Sequence, residues 1–229
     1  MKVVILAGGR GTRISEYTRS IPKPMVKIGE YPIIIHIMKY FSCFGINDFV
    51  VCLGYKGYSI KEYILNYSVH QNDIEINFDK KNYINLNSKT ENWNIKLIET
   101  GLNTMTGGRI KRIKKYINSD NFFLTYGDGL SNVNLEKLYR YHLYKNKIAT
   151  VTAIKPPTRF GYLNIKNGIV KNFSEKPGNQ NDWINGGFFV LNKKIFDYIK
   201  NDRSIWEREP LEKISKKGYL AAYKHNDFW

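Results

Sequence analysis

Short apolar runs alternate along the chain with stretches of helical spacing, and turns rich in glycine separate many of them. Residues 2–7 form the first run, β-branched and almost wholly apolar, the pattern of a strand buried on both faces. Residues 33–44 place Ile33, Ile34, Ile37, Met38 and Phe41 at helical spacing, and Gly45 is suited to close that helix in a left-handed cap. Further strands are predicted at 49–53, 95–99, 122–126 and 148–154, with helices at 58–67, 106 to about 117 and 135–144. The Asn-rich stretch 72–94 is weakly patterned and reads as strands and a long loop carrying substrate-specific contacts. Strands at 162–165 and 169–174 bracket Lys166-Asn167-Gly168 as a hairpin. A strand at 188–191, helices at 194–200 and 207–216, and a strand at 219–223 complete the pattern.

Such alternation predicts an α/β fold with a doubly wound, mostly parallel sheet and a small β-rich insertion, built as one domain over residues 1–229. No stretch approaches the roughly 18 apolar residues of a membrane span. The N-terminal apolar run is too short for a signal peptide and meets a glycine turn at once, so a cytoplasmic protein is expected. Cys43 and Cys52 form no CxxC pair and are expected to be buried, reduced thiols.

The formal charge of +16, from 36 Lys and Arg against 20 Asp and Glu, admits three explanations. One is nucleic acid, another is a set of phosphorylated substrates, and the third is a solvated surface of drifted composition. The lysines are dispersed, in pairs such as Lys80-Lys81 and Lys216-Lys217, which speaks against nucleic acid. His36, His70, His142 and His225 show no metal-ligand spacing, and Trp93, Trp183, Trp206 and Trp229 read as packing residues.

Candidate chemistry gathers at strand ends. Leu6-Ala7-Gly8-Gly9-Arg10-Gly11-Thr12-Arg13 follows a buried strand, where glycines let the main chain approach a ligand and aim N–H groups at phosphate oxygens. It fits neither the GxGxxG nor the GK[ST] phosphate pattern, and Arg13 adds a planar donor fork. Two prolines stiffen the chain around Lys23 in Pro22-Lys23-Pro24-Met25, lowering the entropy cost of a phosphate contact. Asp128, in Gly127-Asp128-Gly129 at a strand's carboxyl end, is well placed to hold Mg²⁺ on phosphates. Met105-Thr106-Gly107-Gly108-Arg109 opens a helix whose N-terminus suits an anion or a base edge. Glu175, Lys176, Asn185 and Gly186 supply carboxylate, ammonium and amide groups suited to a sugar phosphate.

Together these residues resemble the sugar-1-phosphate nucleotidylyltransferases, whose opening reads LAGGxGTR…PKPM. Later runs, among them Tyr126-Gly127-Asp128-Gly129, Glu175-Lys176-Pro177, Asn185-Gly186-Gly187 and Trp206-Glu207-Arg208-Glu209-Pro210-Leu211, stand in family order and point to its cytidylyl-transferring branch. The resemblance implies a Rossmann-like nucleotidyltransferase fold. It implies CTP and glucose 1-phosphate as partners, with no nucleic acid and no membrane, CDP-glucose for dideoxyhexose and surface-polysaccharide synthesis, a Mg²⁺ cofactor and a homo-oligomer. It also assigns roles. Leu6, Ala7, Gly8, Gly9, Gly11 and Thr12 would hold the nucleotide, Arg13 and Lys23 its phosphates, Thr104 and Arg109 would contact it, and Asp128 would hold Mg²⁺. Glu175, Lys176, Asn185 and Gly186 would hold the sugar phosphate.

Three departures stand out. Ile21 replaces a basic residue, Tyr162 and Asn164 alter the stretch after Arg159-Phe160-Gly161, and the sequence stops at Trp229. The family continues with a segment resembling Met-Asp-Thr-Leu-Arg-Asp that carries a second Mg²⁺ carboxylate, so a truncated member with impaired turnover is expected. An inactive nucleotide-binding remnant, an enzyme for another base or sugar, and a nucleic-acid module stay open as alternatives.

Overall fold

The computed structural model describes residues 1–10, 21–80, 82–86, 90–155, 162–174 and 183–229. Its frame is a nine-stranded sheet. The apolar run at the N-terminus becomes β1 (Lys2–Leu6). After it come a short 3₁₀ turn (Lys23–Met25) and the brief strands β2 (Lys27–Ile28) and β3 (Tyr31–Pro32). Helix α1 (Ile33–Ser42) follows and turns Ile34, Ile35, Ile37, Met38 and Phe41 into the core, and Gly45 after it has φ +73. Next are β4 (Asp48–Leu53), α2 (Gly57–Leu65) and α3 (Tyr67–Gln71). The Asn-rich stretch supplies β5 (Ile74–Asn77) and β6 (Asn82–Asn85), an antiparallel pair apart from the main sheet. Then come β7 (Asn94–Glu99), α4 (Thr106–Arg112), β8 (Asn121–Tyr126), α5 (Leu135–Lys145) and β9 (Ala149–Ile154). The chain ends with β10 (Tyr162–Lys166), β11 (Ile169–Ser174), β12 (Trp183–Asn192), α6 (Glu209–Lys216) and β13 (Leu220–Lys224).

The strand order is β10-β11-β13-β9-β12-β8-β1-β4-β7. β8, β1, β4 and β7 run parallel, and β12 enters antiparallel between β8 and β9. Because side chains alternate across a strand, β1 sends Val4 and Leu6 to one face and Val3 and Ile5 to the other. The first face packs on Ile110, Ile113, Trp206 and Ile214, the second on Phe41, Met38, Leu135 and Leu138. Both faces are covered, which is why β1, β4, β8 and β9 read as near-continuous apolar runs. The expected doubly wound, mostly parallel sheet is present, with its small β insertion.

Several local expectations are corrected. The helix foreseen from 106 to 117 is α4 followed by a 3₁₀ turn at Lys114–Tyr116, and the one at 194–200 is a 3₁₀ helix, Lys193–Tyr198. Cys43 is exposed at the end of α1, whereas Cys52 is buried as expected. The hairpin turn matches its sequence, with Asn167 at φ 52 and Gly168 at φ 73, both in the left-handed region.

Candidate functional site

The parallel strands β1 and β8 end side by side, and the chain that leaves them lines a cleft of about 570 Å³. Leu6, Ala7, Gly8, Gly9 and Arg10 form one wall, Lys23 and Pro24 a second, 102–106 a third, with Arg109 and Tyr126–Asp128 at the base. Clefts outside the carboxyl ends of strands are where open α/β sheets take ligands.

The glycine turn is fixed from below by one side chain. Arg109 is 3% exposed. Its Nη2 donates to the carbonyl of Gly8 at 2.9 Å. Its Nη1 lies within hydrogen-bond range of Leu53 O (2.9 Å), Thr100 Oγ1 (2.7 Å) and Gly101 O (2.8 Å). A Cβ on Gly8 would fall 2.3 Å from Nη1, and one on Gly54 2.4 Å from it, so both glycines make room for the guanidinium. Tyr55 N–H also donates to the Gly8 carbonyl, at 3.1 Å. In a trans peptide the N–H points opposite to the C=O, so pinning this carbonyl inward turns the Gly9 N–H out to the cleft side. Among the described residues, its chain neighbours aside, no heavy atom lies within 4 Å of where a Gly9 Cβ would stand, which leaves the backbone open to a ligand on that side.

A second close approach seats Lys23. A Cβ on Gly127 would lie 2.8 Å from Pro24 Cγ, so the glycine lets the Pro-Lys-Pro turn rest on the end of β8. Lys23 Nζ then stands 3.3 Å from Asp128 Oδ2. That carboxylate is 43% exposed on the cleft. Mg²⁺ commonly takes one or two carboxylates together with water and substrate phosphates, and a half-exposed Asp128 beside a phosphate-suited turn fits that donor set. Among the described residues no cluster of three His, Cys, Asp or Glu side chains forms an all-protein metal cage.

A polar network backs the opposite side. The Tyr126 hydroxyl donates to Glu207 Oε1 at 2.5 Å, and the Thr106 hydroxyl donates to Glu207 Oε2 at 2.7 Å. Asn185 Nδ2 donates to the Tyr126 oxygen at 3.4 Å, and Asn185 Oδ1 accepts from Gly187 N–H at 2.8 Å. The pairing of β12 shifts register between Asn185 and Phe189, and Gly187 (φ +81) sits where a Cβ would press on the Tyr126 ring at 2.8 Å. Bulges of this kind aim side chains at sites. Burial, then the Glu207 charge, raises the Tyr126 pKa well above its ordinary value. Burial also lowers the Arg109 pKa and pushes the Cys52 thiol beneath it up to about 12.

Among the residues expected in the site, Leu6, Ala7, Gly8, Gly9, Lys23, Thr104, Arg109 and Asp128 line this one cleft. Asn185 reaches it through Tyr126, and Gly186 lies beside it, its carbonyl accepting from Trp229 Nε1 at 2.6 Å. Gly11, Thr12, Arg13, Glu175 and Lys176 lie outside the described residues. Gly107 and Gly108 have a packing reason. A Cβ on them would strike Ser204 O at 2.7 Å and Asp202 Cα at 2.5 Å, so they admit the 201–204 loop against α4. Tyr126 and Glu207 drew no role from the sequence. A tyrosine at the end of a buried strand was the available signal for the first, and membership of the run Trp206-Glu207-Arg208-Glu209-Pro210-Leu211 the signal for the second.

The model of the family described as nucleotidyl transferase matches residues 2–229. The chain is 48% identical to a glucose-1-phosphate cytidylyltransferase of Salmonella typhimurium over 230 residues, covering 100% of this chain and 90% of that protein. It is 47% identical to a probable glucose-1-phosphate cytidylyltransferase of Bacillus subtilis at the same coverage. Among solved structures, HddC from Yersinia pseudotuberculosis complexed with GMP-PN is similar at a TM-score of 0.76 and 26% identity, over 98% of this chain and 90% of that one.

Proposed function

We propose that this chain, which belongs to the nucleotidyl transferase family, transfers the cytidylyl group of CTP to glucose 1-phosphate, giving CDP-glucose and pyrophosphate. The observation that carries the choice of base and sugar is the 48% identity to the Salmonella enzyme over the whole chain. The cleft supports the reaction class. A phosphate oxygen of the sugar phosphate attacks the α-phosphorus in line, the bond to the β-phosphate oxygen breaks, and its electrons leave with pyrophosphate. The nucleophile is already an anion at neutral pH, so the chain needs no general base. Its residues bind, orient and neutralise.

Gly9 offers a backbone N–H to a phosphate oxygen, and Lys23 a positive charge beside it. Arg109 acts by holding Gly8 through Nη2 while Nη1 is engaged by Leu53, Thr100 and Gly101, and the guanidinium still borders the cleft where the nucleotide would lie. Asp128 would hold the Mg²⁺, with its exposed carboxylate turned to the cleft. Mg²⁺ supplies charge neutralisation on the triphosphate and leaving pyrophosphate. By family resemblance Arg13 joins Lys23 on the phosphates, and Glu175, Lys176, Asn185 and Gly186 take the sugar phosphate. The same reading supports a homo-oligomer in the cytoplasm feeding surface-polysaccharide synthesis. Among the described residues no helix is long and apolar enough to cross a membrane.

Pyrophosphate release from CTP, UTP, GTP and dTTP, each with glucose 1-phosphate and Mg²⁺, tests the proposal. Release with CTP at least about tenfold above the others is expected, since one well-placed base contact gives roughly that discrimination. Equal release from all four, or a preference for another base, would refute it.

A further inference from the structure

The run Trp206-Glu207-Arg208-Glu209-Pro210-Leu211 takes no part in the transfer as proposed, yet its Glu207 reaches the back of the cleft. Thr106 and Tyr126 line the cleft, and the Glu207 carboxylate stands behind both, one oxygen on each hydroxyl. Thr106 Oγ1 accepts from Trp206 N–H at 2.9 Å, so its own hydrogen is directed to Glu207.

Direction is the physical point. An ionised carboxylate only accepts, so the Tyr126 hydroxyl must give its single hydrogen to Glu207. The Tyr126 oxygen is then left only as an acceptor, and the one described side chain that donates to it is Asn185, through Nδ2. Asn185 Oδ1 is occupied from the other side by Gly187 N–H, which agrees with the same amide orientation. Hydroxyls and amides joined in such a chain hold one another's direction cooperatively.

We infer that Glu207 is a positioning residue for the sugar 1-phosphate: through the Tyr126 hydroxyl it sets the orientation of the Asn185 amide at the sugar side of the cleft. The inference rests on the proposed transfer, in which Asn185 takes the sugar phosphate. Glu207 also ties the end of β8 to the first residue of α4, so the strand that leads into Asp128 and the helix that carries Arg109 share one anchor.

Steady-state kinetics on the full chain separate this role from a merely structural one. Tyr126→Phe and Glu207→Ala are expected to raise KM for glucose 1-phosphate about tenfold while KM for CTP stays within about twofold, the scale of one or two lost hydrogen bonds. Glu207→Gln keeps an acceptor for Tyr126 and is expected to restore KM to within about threefold of the parent. Equal rises in both KM values, or no rise in either, would overturn the inference. A second readout needs no turnover: the Asn185 side-chain amide resonance, assigned by its loss in Asn185→Ser. It should shift in Tyr126→Phe and Glu207→Ala and hold in Glu207→Gln. If it does not move in Tyr126→Phe, the link is wrong. If the parent chain forms no CDP-glucose, the transfer proposal fails, and the resonance still decides whether Glu207 orients Asn185.

Discussion

The two sides of the cleft are built by different means. On the β1 side the ligand-facing surface is main chain, and the side chain that shapes it, Arg109, is hidden beneath. On the β12 side the surface is made of side chains, Tyr126 and Thr106, held by a carboxylate behind them, with Asn185 bonded to the Tyr126 oxygen. A backbone surface varies little with sequence once its glycines are present, and suits the triphosphate common to all nucleotide substrates. A side-chain network can be altered one residue at a time, and suits the partner that distinguishes one transferase from another. The difference teaches that selectivity for the sugar is expected on the side where hydroxyls and amides carry the geometry.

The comparison can be broken by substitutions on either side, and the largest effect is expected at the charges they share. Lys23→Ala should lower kcat/KM by about 10²–10³-fold, the scale of losing a preorganised charge at a reacting phosphate. Steady-state rates with both substrates varied check this, and a loss below about threefold would remove Lys23 from the transition state. Asp128→Asn should lower kcat at fixed Mg²⁺ by about 10–100-fold and move the Mg²⁺ dependence to higher concentration, as for a weakened ligand set. An unchanged Mg²⁺ curve would place the ion elsewhere.

Arg109→Met tests the hidden strut. Thr100 Oγ1 and the Gly101 carbonyl lose the guanidinium donor, the Gly8 and Leu53 carbonyls keep only their bonds from Tyr55 and Thr100, and stability should fall by roughly 3 kcal/mol. KM for CTP should rise while KM for glucose 1-phosphate changes less. Chemical denaturation and kinetics together check this, and a sugar-selective effect would merge the two sides into one.

The smallest effect on activity is expected at His142, which lies in neither wall. Burial lowers its pKa from 6.5 to about 4. The unfolded chain therefore takes up a proton below about pH 6.5 while the folded chain does not, and stability is lost as pH falls toward about 4. The full loss is roughly 3 kcal/mol, since each tenfold difference in proton affinity between the folded and unfolded chain is worth about 1.4 kcal/mol. His142→Gln should flatten that part of the stability–pH curve and leave both KM values unchanged. A curve still as steep would assign the acid loss to other groups.

Much of the β1 side was legible in the sequence, because buried parallel strands read as continuous apolar runs and glycines directly after them mark close backbone approach. Lys23 and Asp128 were legible for the same reason, each tied to a turn residue, Pro24 or Gly127, whose chemistry is local. The β12 side was not. Thr106 and Glu207 are separated by 101 positions, and a side-chain pairing across that distance leaves no periodicity to read. Arg109 reads in sequence as a ligand contact, and what the sequence does not show is that its Nη1 and Nη2 also hold the Gly8, Leu53 and Gly101 carbonyls and the Thr100 hydroxyl. Gly107 and Gly108 look like an open helix end because the 201–204 loop that fills the space lies far along the chain. The 3₁₀ helix at Lys193–Tyr198 carries the same apolar spacing as a short α-helix, with Ile195 and Phe196 buried, and spacing alone does not separate the two.

Base and sugar are tested together by running the reaction backwards. The chain is incubated with Mg²⁺, pyrophosphate and one nucleotide sugar at a time, CDP-glucose, UDP-glucose, dTDP-glucose or GDP-mannose, and the nucleoside triphosphate formed is measured. Formation of CTP from CDP-glucose, well above any triphosphate from the other three, is the predicted result. A triphosphate formed faster from any of the others would contradict the assignment of this cleft to cytidylyl transfer.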